Sequence, residues 1–236
     1  MQIAGWQKVS LVDYPGKVAC TLFTGGCNLR CPYCHNSELL EGRIPSQDSR
    51  EIFAYLEARK GILDAVVVSG GEPCLQPDLP EFLERLKQED LLVKLDTNGC
   101  FPDLLEQILQ KGLVDYVAMD WKNAPDEYGV TSGREDVPVE AITRSLEQLL
   151  TGTTPFELRT TVVEQLHNEH SFEKIRDFLE PLVAKTGKKI PAFYLQAFKD
   201  RETVPFAGLT APDKKTLERY GNCLAAVSDR VMIRGL

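Results

Sequence analysis

The stretches DAVVVS (residues 64–69) and LVDYVAMD (residues 113–120) decide the fold. Each is a short, β-branched apolar run without polar alternation, the pattern of a strand whose two faces are both covered by helices. Working outward, further strands are expected at 18–23, 91–96, 156–163, 190–198 and 230–234. Between them apolar residues return at helical spacing, as in Ile52/Leu56, Phe82/Leu83/Leu86, Ile142/Leu146/Leu149 and Phe172/Ile175/Leu179. Ser46, Asp78 and Ser171 are the expected N-caps, and Gly61, Gly112, Gly152 and Gly187 the expected helix stops. The segment 121–135, with Pro125, Gly129 and Gly133, reads as a surface loop. A βα repeat of about 30–40 residues leaves room for roughly six units, short of the eight that close a barrel. The expectation is an α/β chain, a partial (β/α)6 TIM-like barrel with a short N-terminal extension, forming one domain over 1–236; an open doubly wound sheet is the rival. In either case a ligand meets the carboxyl ends of the strands.

Composition narrows the function. The 236 residues are 43% hydrophobic, and 27 Lys and Arg against 35 Asp and Glu leave a formal charge of −8. That is a globular balance without the basic patch that nucleic acid requires. The N-terminal MQIAGWQKVSLVDYPGK has no apolar core of a signal or anchor, so a cytoplasmic protein with no membrane partner is expected. Seven cysteines, an odd number in a reducing compartment, argue for metal or redox chemistry over a disulfide framework.

Three of the seven, Cys27, Cys31 and Cys34, fall within eight residues directly after the first strong strand and Gly25-Gly26. Read in pieces, Cys31-Pro32-Tyr33-Cys34 fits a dithiol oxidoreductase, and adding His35 fits a c-type haem attachment site. Read whole, the C-x3-C-x2-C spacing offers three thiolates to zinc or to an iron-sulfur cluster. A zinc module wants a fourth protein ligand, and His35, adjacent to Cys34, is awkward for one tetrahedral ion. A four-iron cluster on three cysteines keeps one iron open for a non-protein ligand. Cys20, Cys74, Cys100 and Cys223 lack metal spacing and read as small hydrophobes.

With Tyr33 before its third cysteine, this motif resembles the signature of the radical S-adenosylmethionine superfamily. Ser69-Gly70-Gly71-Glu72-Pro73 resembles its GGEP motif, and Leu95-Asp96-Thr97-Asn98-Gly99 resembles the third strand end of glycyl-radical-enzyme activases. SLVDYPGK (residues 10–17) and GGCNLRCPYCHNSEL (residues 25–39) are most similar to the anaerobic ribonucleoside-triphosphate reductase activating family in its longer form.

The resemblance implies a 4Fe-4S cluster on Cys27, Cys31 and Cys34 whose open iron chelates S-adenosyl-L-methionine. It places Gly70, Gly71 and Glu72 at the methionine amino group, Tyr33 and Asn36 near adenine, and Lys122 and Arg159 as cationic contacts. Asp96, Thr97 and Asp120, with the Ala118 carbonyl, match a monovalent cation site of pyruvate formate-lyase activating relatives. Phe198 stands where those relatives carry a histidine, and the short interval from Cys34 to Gly70 leaves no room for a ferredoxin insert, so one cluster is implied. The implied partner is a glycyl-radical enzyme, anaerobic ribonucleotide reductase being favoured, with reduced flavodoxin or ferredoxin as electron donor. The alternatives are an activase of pyruvate formate-lyase type and a small-molecule enzyme such as 7-carboxy-7-deazaguanine synthase. His167 and His170 receive no role.

Overall fold

The computed structural model describes residues 1–41 and 43–236. Among these, the order is β1 (Ile3–Ser10), β2 (Ala19–Thr24), α1 (Ser49–Ala58), β3 (Ala65–Gly70), α2 (Leu79–Lys87), β4 (Leu92–Thr97), α3 (Pro102–Gln110) and β5 (Tyr116–Asp120). It continues with α4 (Tyr128–Ser132), α5 (Val139–Thr151), β6 (Phe156–Val162), α6 (Glu169–Thr186), β7 (Phe193–Ala197), α7 (Lys214–Cys223) and β8 (Val231–Arg234). From β2 to α7 these make the six expected βα units, and β8 follows them. No helix among the described residues is long and apolar enough to cross a membrane.

The chain folds as two compact units. One comprises Met1–Asn28, Glu38–Thr97 and Phe101–Ala118; the other comprises Leu29–Ser37, Asn98–Cys100 and Met119–Leu236. In the first, β2, β3 and β4 run parallel in register Thr21, Val67, Lys94. Val66, Val67 and Val68 are buried in succession, as the unbroken apolar run predicted. Tyr14, Ala19, Ala65 and Val67 form a compact cluster on one face, with Leu92 and Tyr116 packed against it. The N-terminal segment is more than an extension: β1 pairs antiparallel with β2. Gly5 and Lys8 interrupt its apolar pattern, and its outer face instead holds Trp6 edge-on to Tyr55 at 5.0 Å.

In the second unit β6, β7 and β8 are parallel, with Arg159, Tyr194 and Met232 in register. The segment 121–135 corrects the surface-loop reading. Trp121, Asn123, Ala124 and Tyr128 are fully buried, a short 3-10 turn spans Pro125–Glu127, and α4 follows. Here Pro opens a helical turn and Gly133 closes α4 in the left-handed conformation, so these residues punctuate packed structure. Two caps also move. Asp48, not Ser46, caps α1 by accepting from Arg50 N–H, and Asn168 caps α6 while Ser171 completes the reciprocal capping box. Asp78 does precede α2, but its carboxylate meets the Met1 ammonium and makes no cap bond. Gly152 and Gly187 occupy C-caps as expected.

Candidate functional site

The predicted residues divide between the two units, and each unit bonds its own group together. In the first, β3 runs straight into Gly70-Gly71-Glu72. Gly70 has φ of +117°, and a Cβ there would lie 2.2 Å from the Thr24 nitrogen. A Cβ on Gly71 would lie 1.9 Å from the Gly26 carbonyl oxygen and 3.4 Å from the Cys27 Cβ. Glycine is therefore required here by the approach of two backbones. Gly71 N–H donates to Thr24 O at 3.0 Å and Glu72 N–H to Gly26 O at 2.9 Å, which presses the turn against the residues preceding Cys27. The buried Glu72 carboxylate accepts from Cys74 N–H at 3.0 Å and from the Thr97 hydroxyl at 2.7 Å, joining the ends of β3 and β4. Asp96 accepts from Ser69 Oγ at 2.9 Å and pairs with Lys94.

The second unit gathers Cys31, Tyr33, Cys34, Asp120, Lys122 and Arg159. Cys34 N–H donates to Cys31 O at 3.1 Å, turning the loop so that both thiols come from one bend. Cys31 and Tyr33 are buried; Cys34 and Asn36 are half-buried. At the end of β5, Asp120 pairs with Arg159 from β6 at 3.0 Å and with Lys122 at 3.3 Å. Burial pushes the Cys31 thiol up, and the Lys122 ammonium pulls the other way. Burial also disfavours charge on Lys122, yet Cys31 and Asp120 beside it hold its pKa well above the ordinary lysine value. Burial raises Cys34, and raises Tyr33 strongly. A positive charge thus sits beside Cys31 and works against the larger effect of burial on its thiol.

Residues without an assigned role prove structural or supportive. Cys20, Cys74 and Cys100 are buried, Cys223 is half-buried, and burial lifts the Cys20 thiol to about 12. His35 stacks on Phe198 at 5.7 Å, and its Nε2 lies 2.6 Å from Lys199 O, which accounts for its ring. His167 lies beneath Lys122. Its Nδ1 accepts from Val163 N–H at 3.1 Å, so Nε2–H donates to Lys122 O at 2.9 Å; Tyr128 Oη accepts from Lys122 N–H at 3.2 Å. His167 and Tyr128 therefore fix the backbone that presents Lys122, a role that no local motif announces. Lys94 was also missed, though a lysine in an apolar strand two residues before Asp96 is a readable signal.

Among the described residues no group of three or more His, Cys, Asp and Glu side chains forms a ready-made metal site. The fit to an iron-sulfur cluster rests instead on donor chemistry: three cysteines within eight residues, none of them in a disulfide, one beside a buried ammonium. Comparison with known proteins agrees. The Radical SAM superfamily profile matches residues 21–180. A protein of Methanocaldococcus jannaschii named a putative glycyl-radical enzyme activating enzyme is 33% identical over 98% of this chain and 95% of its own. The pyruvate formate-lyase-activating enzyme of Listeria monocytogenes is 25% identical over 89% of this chain and 90% of its own. The crystal structure of a domain of pyruvate-formate lyase-activating enzyme from Bacteroides vulgatus has a TM-score of 0.58 at 19% identity, covering 72% of this chain and 99% of that one, a likeness of fold. The superfamily uses a 4Fe-4S cluster and S-adenosylmethionine, and the chain belongs to it, as an enzyme of radical chemistry related to the glycyl-radical enzyme activating enzymes.

Proposed function

We propose that this protein is a cytoplasmic activase that places a glycyl radical on anaerobic ribonucleoside-triphosphate reductase, with reduced flavodoxin or ferredoxin as electron donor. The observation that carries the activase reading is the GGE turn packed on the backbone before Cys27, together with the cation held beside Cys31. Cys27, Cys31 and Cys34 are the cluster ligands in this reading. A cluster held by these three cysteines would supply the single electron for reductive cleavage of S-adenosylmethionine to methionine and an adenosyl fragment able to abstract the glycine Cα hydrogen. Gly70 and Gly71 let backbone carbonyls approach the methionine ammonium, and Glu72 holds that turn by bonding Cys74 and Thr97. Lys122 and Arg159, braced by Asp120, are the cations available to a carboxylate. Tyr33 and Asn36 would lie near adenine in this reading. The choice of reductase rests on the stretches 10–17 and 25–39.

The test is anaerobic reconstitution, reduction and incubation with S-adenosylmethionine and candidate glycyl-radical enzymes, read by electron paramagnetic resonance. A glycyl doublet on the reductase is expected. A doublet only on pyruvate formate-lyase would reassign the partner, and none on any candidate would favour a small-molecule substrate.

A further inference from the structure

Lys94 is a buried cation that the proposed chemistry leaves unused. It lies in β4 between Val93 and Leu95, both fully buried, and is itself 2% exposed. Alternation along the strand puts Lys94 and Asp96 on one face, where Lys94 is in register with Val67. Its Nζ lies 2.5 Å from Asp96 Oδ1, and Ser69 Oγ donates to Asp96 Oδ2 at 2.9 Å. Both carboxylate oxygens are engaged, one of them by a full positive charge. Burying a lysine charge is costly unless it is paired, and Asp96 supplies that pairing for Lys94.

Asp96 is also one of the oxygens expected to hold a monovalent cation, and its surroundings do not fit one. A sodium or potassium ion arriving at Asp96 would meet a buried ammonium at contact distance, where low dielectric makes like charges repel strongly. We infer that the Lys94 ammonium is the built-in counter-cation of Asp96, so that the protein needs no free sodium or potassium at this position. The inference stands on side chains of the first unit and holds whichever partner the enzyme acts on.

The test is the melting temperature of the reconstituted protein in sodium, potassium or choline chloride at constant ionic strength. Full occupancy of a site at a cation concentration about 100-fold above its Kd would raise melting by roughly 5–10 °C for a chain of this size. The wild type is expected to melt within about 1 °C in all three salts. Lys94→Met, which keeps the bulk and removes the charge, is expected to gain the sodium or potassium response. A saturating shift of several degrees in the wild type would overturn the inference, as would a folded Lys94→Met protein indifferent to the cation. Should Lys94→Met fail to fold, the wild-type titration still decides. Loss of activase function would leave this melting result unaltered.

Discussion

Replacing Gly71 by Ala separates two reasons for a glycine beside a cofactor. The added Cβ would start 1.9 Å from the Gly26 oxygen and 2.7 Å from its carbon. Atoms of this kind do not approach below about 3 Å, so the two backbones must part by roughly 1 Å. That movement strains the bonds from Gly71 N–H to Thr24 O and from Glu72 N–H to Gly26 O. Overpacking costs about 1–3 kcal/mol, and each weakened backbone hydrogen bond about 1 kcal/mol. A total near 3–5 kcal/mol corresponds to a melting temperature lower by on the order of 10 °C for a chain of this length. Circular dichroism melts of cluster-free protein read the effect directly, with Gly5→Ala as control because nothing lies within 4 Å of its Cβ. The control is expected to melt within about 1 °C of wild type. A Gly71→Ala protein that melts like wild type, yet binds S-adenosylmethionine poorly, would refute the packing argument and assign this glycine to the cofactor alone.

Arg234 forks onto the two oxygens of Glu157 at 3.0 and 3.2 Å, and the Glu157 side chain is 1% exposed. Arg234→Met should therefore cost about 3–5 kcal/mol in urea unfolding by stranding a buried carboxylate, whereas a loss below about 1 kcal/mol would mean that water reaches Glu157. His167 is buried and neutral, with its pKa below the ordinary value. On acidification the unfolded chain takes up this proton first, near pH 6.5, so the histidine's contribution to stability is complete above that pH and lost as pH falls toward the folded pKa. The drop in urea midpoint between about pH 7 and 5 should be smaller in His167→Gln, and an equal drop in both proteins would contradict the buried assignment. Replacing Cys27, Cys31 or Cys34 by Ala should each abolish the iron-sulfur absorbance that Cys223→Ala retains; loss in all four would mean the ligands are misassigned.

The strands apolar on both faces were legible because burial in a parallel sheet leaves a run such as Val66-Val67-Val68 with no reason to alternate. β1 was not, since a strand holding Gly5 and Lys8 is stabilised by its pairing with β2, a tertiary fact. Proline and glycine misled at 121–135 because the same residues that break chains in loops also open and close short buried helices; the burial of Trp121 and Tyr128 is what distinguishes the cases. At the candidate site Asp120 and Lys122 were named only through the resemblance and their pairing appears only in the fold, whereas the cysteines and the GGE turn were visible as motifs. Their supports were not: His167 reaches Lys122 across 45 positions and Thr97 reaches Glu72 across 25, distances over which no local pattern carries information. Lys94 lies between these cases, readable as an anomaly but intelligible only once its contact with Asp96 is seen.

The central claim is hydrogen abstraction from a glycine Cα of a protein partner, and isotope transfer tests it most directly. The reduced, reconstituted protein is incubated with S-adenosylmethionine and a glycyl-radical enzyme carrying Cα-deuterated glycine, and the 5′-deoxyadenosine formed is analysed by mass spectrometry. Deuterium in the 5′-deoxyadenosine, appearing together with the glycyl doublet on the reductase, is the predicted result. Unlabelled 5′-deoxyadenosine with every glycyl-radical enzyme supplied would contradict it.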